Sequence, residues 1–139
     1  MYKHILIPHD GSELSMKGVQ QGLGLAKELG AQVTIAVVSQ PYPLQSAATV
    51  DSWAKGQKDF VEDVIAKAKA AAKDMGIEVD AYRATNASAA DAIIDAAATM
   101  TCDLIVMASH GRRGISRLLL GSQTSEVVSH SPIPVLVVR

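Results

Sequence analysis

Met107-Ala108-Ser109-His110-Gly111, then Arg112-Arg113-Gly114-Ile115-Ser116-Arg117-Leu118-Leu119-Leu120, then Gly121-Ser122-Gln123-Thr124: this segment carries an apolar run, Leu104 to Met107, through a basic loop into a helical pattern over residues 122–129. Nine residues separate Gly111 from Gly121. A strand, a glycine-hinged loop and a helix start together make an anion site. Glycine lets the backbone come close to an anion, and the unpaired N–H groups of a first helical turn point at it. The segment predicts a cradle for nucleotide phosphates, with Ser122 at the helix cap. Arg112, Arg113 and Arg117 add guanidinium groups, whose planar fork suits phosphate oxygens.

On both sides of this segment, apolar runs alternate with helical patterns. Ile5-Leu6-Ile7 predicts a first strand, stopped by Pro8. Ser12 caps a helix to about Leu29, with Val19, Leu23, Ala26 and Leu29 on one face, and Gly30 ends it. Residues 33–38, rich in β-branched side chains, predict a second strand. Residues 40–52 contain Pro41 and Pro43 and predict the longest loop. Residues 53–75 predict the longest helix, with Phe60, Val64, Ala68, Ala71 and Met75 at helical spacing and Gly76 as its stop. Residues 77–84 alternate and predict a third strand. Ser88 to about Met100 predicts an alanine-rich helix with Ala90, Ile93, Ile94 and Ala97 inward. Residues 104–108 and 134–138 predict the last two strands, on either side of the helix at 122–129.

This order predicts an α/β fold. Residues 1–139 form one Rossmann-like domain, an open five-stranded parallel sheet with helices on both faces. The apolar character of strands one, four and five throughout predicts that they are buried on both faces. Ligands of such sheets sit beyond the carboxyl ends of the strands, where the strand order reverses. Pro8-His9-Asp10 and Ala108-Ser109-His110-Gly111 both fall at carboxyl ends. If strands one and four flank the reversal, the two segments face each other across one crevice.

With 139 residues, 48% hydrophobic, and a net charge of −1, the chain is long enough for a full core and carries no basic field to recruit nucleic acid. The single cysteine, Cys102, excludes a disulfide within the chain and reads as a core thiol. No apolar run approaches the roughly 20 residues of a membrane helix, and the first residues lack the apolar core of a signal peptide. A cytoplasmic location is expected, with neither membrane nor nucleic acid as partner.

The opening Lys3-His4-Ile5-Leu6-Ile7-Pro8-His9-Asp10-Gly11-Ser12, the second strand, the glycine loop and the ending Ser131-Pro132-Ile133-Pro134-Val135-Leu136-Val137-Val138-Arg139 resemble the universal stress protein family over the whole chain. Its nucleotide-binding branch carries Gly-x2-Gly-x9-Gly-Ser/Thr. Here Gly111 and Gly121-Ser122 supply the last two elements, and Ala108 stands at the first glycine. The resemblance implies that Asp10 and the backbone around Val38 hold adenine, and that Met107 and Ala108 lie near the ribose. Gly111, Gly121, Ser122, Gln123 and Thr124 would wrap the phosphates of ATP, which Mg or Mn would bridge. His9 stands where Thr, Val or Ala is more common, placed to donate to a phosphate or to crowd it. A homodimer through the last strand, an apolar edge, is also implied.

Plainer readings stand beside these. Asp10 also suits a turn and the capping of the first helix. His9 and His110 also suit exposed loop positions; as a metal pair they lack visible further ligands. Ser122 and Thr124 also suit capping, and Trp53 and Phe60 suit core packing. No Gly-x4-Gly-Lys-Ser/Thr appears, Gly22-Leu23-Gly24 lacks the third glycine of a dinucleotide fingerprint, and no nucleophile-and-base pair stands out. The expected function is an ATP-dependent switch or sensor with an unknown protein partner. Two alternatives remain: a nucleotide-free dimeric interaction module of the same fold, and a slow ATPase or autokinase.

Overall fold

The computed structural model describes residues 1–43, 47–111 and 120–139. Among these, the order is β1 (His4–Pro8), α1 (Glu13–Leu29), β2 (Gln32–Ser39), α2 (Val50–Asp74), β3 (Asp80–Thr85), α3 (Ala89–Thr99), β4 (Leu104–Ala108), α4 (Ser122–His130) and β5 (Val135–Val138). The strands form one five-stranded sheet in the order β3-β2-β1-β4-β5. Every pairing is parallel; Ile5 lies opposite Val33 on one side and Leu104 on the other. The order therefore reverses between β1 and β4, as the anticipated crevice requires.

The sheet separates two apolar layers. On one face Ile5, Ile7, Val33, Ile35, Val37, Leu104 and Val106 meet Val19 and Leu23 of α1 and Val64, Ile65 and Ala68 of α2. On the other, Leu6, Ala36, Ile105 and Met107 meet Ala90, Ile93, Ala96 and Ala97 of α3 and Val127 of α4. Ile5, Leu6, Ile7 and Ile105 are wholly buried. Each such side chain contributes roughly 1.5–3 kcal/mol. Cys102 joins the second layer, and burial, with Asp103 beside it, pushes its thiol up to about 11. The thiol thus stays protonated near neutral pH.

Two glycines bring α1 close to the sheet. A Cβ on Gly22 would enter the volume of the Ile7 side chain, and one on Gly18 would lie 3.1 Å from Ala108 N. Close approach accounts for glycine at these two positions, whereas a Cβ on Gly24 would meet nothing within 4 Å.

Several boundaries and burials differ from expectation. α2 begins at Val50, because Thr49 accepts the Ser52 N–H and caps it, so the preceding loop is shorter than 40–52. β3 starts at Asp80 rather than residue 77. Leu29 turns outward, 37% exposed, and Ile94 is only half-buried. β5 is apolar but not buried on both faces. It is an edge strand, and Leu136 is 45% exposed. An apolar run has the same sequence whether its second face meets a helix or a partner outside the chain. Among the described residues no helix is long and apolar enough to cross a membrane.

Candidate functional site

In a parallel sheet, the reversal of strand order between β1 and β4 leaves a gap at their carboxyl ends. A crevice of about 930 Å³ opens there, within the range of small-ligand clefts. Its walls include Pro8, His9 and Asp10 after β1, Val38 in β2, Met107 and Ala108 in β4, Gly111, and Gly121, Ser122, Gln123 and Thr124 at the start of α4. Every described residue singled out from the sequence as a nucleotide contact is therefore on one crevice. Arg112, with Arg113 and Arg117, lies outside the described residues.

The β1 side is knitted together by short hydrogen bonds. Ser12 accepts the Ser15 N–H at 3.1 Å, and Asp10 Oδ1 accepts the Ser12 N–H at 2.9 Å. Asp10 does serve the turn and the helix start, as its plainer reading held. Ser15 Oγ lies 2.6 Å from His9 Nδ1 and takes the Asp10 N–H at 3.3 Å. His9 is 3% exposed and His110 8%, so neither is an exposed loop histidine. Burial holds His9 below its ordinary value, against the pull of Asp10 and with a further push from Lys67. His110 Nδ1 lies 3.1 Å from Ser109 Oγ.

The β4 side is built differently. The helix cap falls on Gly121, not Ser122; it is extended (φ −62°, ψ 156°) and has no side chain to accept a first-turn N–H. The first intrahelical bond runs from Ser125 N–H to Gly121 O at 2.9 Å. Among the described residues, the N–H groups of Ser122, Gln123 and Thr124 are thus the orphan donors of the helix start. The side chains behind them hold the scaffold. The Thr124 hydroxyl donates to Ala108 O at 3.0 Å, and Gln123 Oε1 accepts the Ala90 N–H at 2.8 Å.

Neither motif glycine has a positive φ. Each is needed for proximity. A Cβ on Gly111 would fall 2.7 Å from Asp10 Oδ2, and one on Gly121 would fall 3.3 Å from Ser109 O and His110 Cα. Ala108 likewise has no positive φ, so its methyl carries no backbone strain.

Trp53, Gln57, Phe60 and Ser15 also line the crevice and were not recognised as site residues in the sequence. Trp53 packs edge-on against Tyr42, with ring centres 6.4 Å apart, and donates through Nε1 to Gln40 O at 3.3 Å. Gln57 Oε1 accepts the Gln40 N–H at 2.9 Å. The three-residue spacing of Ser12 and Ser15 was the available signal for the serine pair. Trp53 and Gln57 sit one turn apart on α2, where periodicity marks a face but not what the face meets. No group of three or more His, Cys, Asp or Glu side chains gathers among the described residues.

The family model for the universal stress protein family matches residues 1–139. A universal stress protein of Methanocaldococcus jannaschii is 31% identical over 142 residues, which span 100% of this chain and 83% of the relative. A universal stress protein of Lactobacillus plantarum superposes with a TM-score of 0.85 at 23% identity, over 99% of this chain and 98% of that one. A universal stress protein solved in complex with cAMP superposes with a TM-score of 0.79, also at 23% identity, over 99% and 97% of the two chains.

Proposed function

The chain belongs to the universal stress protein family, and we propose that it is an adenine-nucleotide-binding member, a switch or sensor that responds to ATP. Asp10 and the backbone at Val38 take the adenine, and Met107 and Ala108 border the ribose. The N–H groups of Ser122, Gln123 and Thr124 take phosphate oxygens, with Gly111 and Gly121 keeping the walls close and Arg112 adding charge. Mg or Mn would offset the phosphate charge, held chiefly by phosphate and water oxygens.

One observation carries this reading: a cleft at the strand-order reversal that ends on a helix start with no capping side chain. Such a terminus attracts anions through its free donors and its dipole. The solved relative that holds cAMP adds support at the level of ligand class.

The second reading, a nucleotide-free interaction module, draws on Ala108 in place of the first motif glycine and on the packing roles of Gly111 and Gly121. Calorimetric titration with Mg-ATP and with AMP separates the two. The nucleotide reading predicts saturable binding on the order of micromolar. It also predicts a loss of about tenfold or more in Gly111→Val, whose Cβ would crowd Asp10 Oδ2. No heat with either ligand from folded protein contradicts it and leaves the interaction module.

The exposed edge of β5 supports a homodimer formed by pairing β5 with its copy. The wild type should sediment as a dimer and Leu136→Glu as a monomer. A monomeric wild type at high concentration would refute the pairing.

A further inference from the structure

Among the described residues, His9 carries the one buried side-chain nitrogen or oxygen that has no hydrogen-bond partner. Its ring is buried, it lines the crevice, and Nε2 has no hydrogen-bond partner among the described residues. The other ring nitrogen is engaged by the chain: Nδ1 lies 2.6 Å from Ser15 Oγ, and the Gly11 N–H reaches it at 3.4 Å. Nε2 is therefore the ring atom left over for a ligand, and once the ring is charged both nitrogens carry protons and Nε2–H is a donor.

We propose that His9 makes the site selective for phosphate: its ring is neutral in the unliganded protein, and it takes up a proton when a phosphate monoester settles in the crevice. The inference rests on the adenine-nucleotide reading and says how that site distinguishes a nucleotide from a bare nucleoside. The proton comes from solvent, and no bond in the ligand breaks.

The charges around the ring explain why an anion is needed. Among the described residues, Asp10 on its own turn favours the charged ring, while burial and Lys67 on α2 oppose it, and the balance lies on the neutral side. Ser15, from α1, brings a hydroxyl and no charge. His110, from the turn after β4, lines the same crevice and adds no negative charge. A phosphate dianion nearby supplies the missing negative field, and in a buried site such a field is weakly screened. The charged ring in return holds the phosphate.

The test is calorimetry with AMP and with adenosine from pH 6 to pH 8, in two buffers of different ionisation enthalpy, on the wild type and His9→Gln. The wild type should bind AMP more tightly as the pH falls, by up to about tenfold per pH unit, with net proton uptake. Adenosine affinity should stay flat. The AMP phosphate itself titrates near about pH 6, but that ionisation is common to both proteins and cancels in their difference. His9→Gln should lose the slope. Equal pH profiles for AMP and adenosine, or a slope retained in His9→Gln, would overturn the proposal while leaving nucleotide binding intact. Binding of neither ligand at any pH would overturn the nucleotide reading and this proposal with it. If His9→Gln does not fold, NMR titration of the four imidazoles in the unaltered protein decides: AMP, but not adenosine, should raise the pKa of the His9 ring. An unmoved His9 resonance in saturated protein contradicts the proposal.

Discussion

Helices α1 and α4 both begin at the crevice, and they begin in opposite ways. The start of α1 is closed by its own neighbours: Ser12 takes the Ser15 N–H, Asp10 takes the Ser12 N–H, and Ser15 holds His9. The start of α4 has Gly121 at the cap and no side-chain hydrogen bond there. Its polar side chains point to the scaffold, Thr124 to Ala108 O and Gln123 to Ala90 N–H. A closed start fixes the wall of a site, and an open start leaves backbone donors for a ligand. The same motif, a helix beginning after a parallel strand, thus yields a strut on one side of the reversal and, on the proposed reading, a receptor on the other.

The largest effect expected from disturbing this contrast is at the open end. Gly121→Val places side-chain carbons where a Cβ already lies 3.3 Å from Ser109 O and His110 Cα. The helix start must move away, and ATP affinity should fall by more than about tenfold, with about 1–3 kcal/mol of stability lost to overpacking. Calorimetry and urea unfolding read the two losses separately. Unchanged affinity would show that the open start is not where phosphates bind.

A smaller effect is expected at the closed end. Ser12→Ala removes the α1 cap and should cost about 1 kcal/mol of stability. Since its donors serve the chain and not the ligand, ATP affinity should change by less than about threefold, under 1 kcal/mol. A loss comparable with that of Gly121→Val would erase the distinction between the two starts.

The smallest expected effect sharpens the role of His9 within the closed end. Its folded pKa lies below the ordinary 6.5 because the ring is buried. The unfolded chain then binds the extra proton first as the pH drops. The stability from burying a neutral ring is complete above pH 6.5 and declines as the pH falls from there toward the folded-state value. Glu62, which its hydrogen bond to Arg83 holds below the usual carboxylate range, acts only at more acid pH. Thermal unfolding between pH 7.5 and 5.5 should show the decline in wild type and a flatter profile in His9→Gln. Parallel profiles would mean that the ring is not held neutral by the fold.

Much of this contrast was legible in residue order. Pro8 and Gly111 mark where two apolar runs stop, and the alternation of strands and helices places both stops at one end of the sheet. Family resemblance then picked out Asp10, Val38 and the Gly121–Thr124 turn, which the fold brings to one crevice. What stayed hidden depends on neighbours distant in sequence. Gly111 reads as a hinge, but its tightest constraint is Asp10 Oδ2. Gln123 reads as a phosphate contact, but its carboxamide reaches the first turn of α3. The start of α2 was missed because Thr49 caps it ahead of any apolar period. The edge position of β5 was legible, but its incomplete burial was not, because Val135-Leu136-Val137-Val138 looks the same buried or bare.

The measurement that addresses the phosphate cradle most directly is a backbone amide NMR titration with Mg-ATP. The N–H signals of Ser122, Gln123 and Thr124 should shift most and saturate together, while that of Ser15, bonded to Ser12, moves little. Saturable binding that leaves the three α4 amides unmoved would contradict the account.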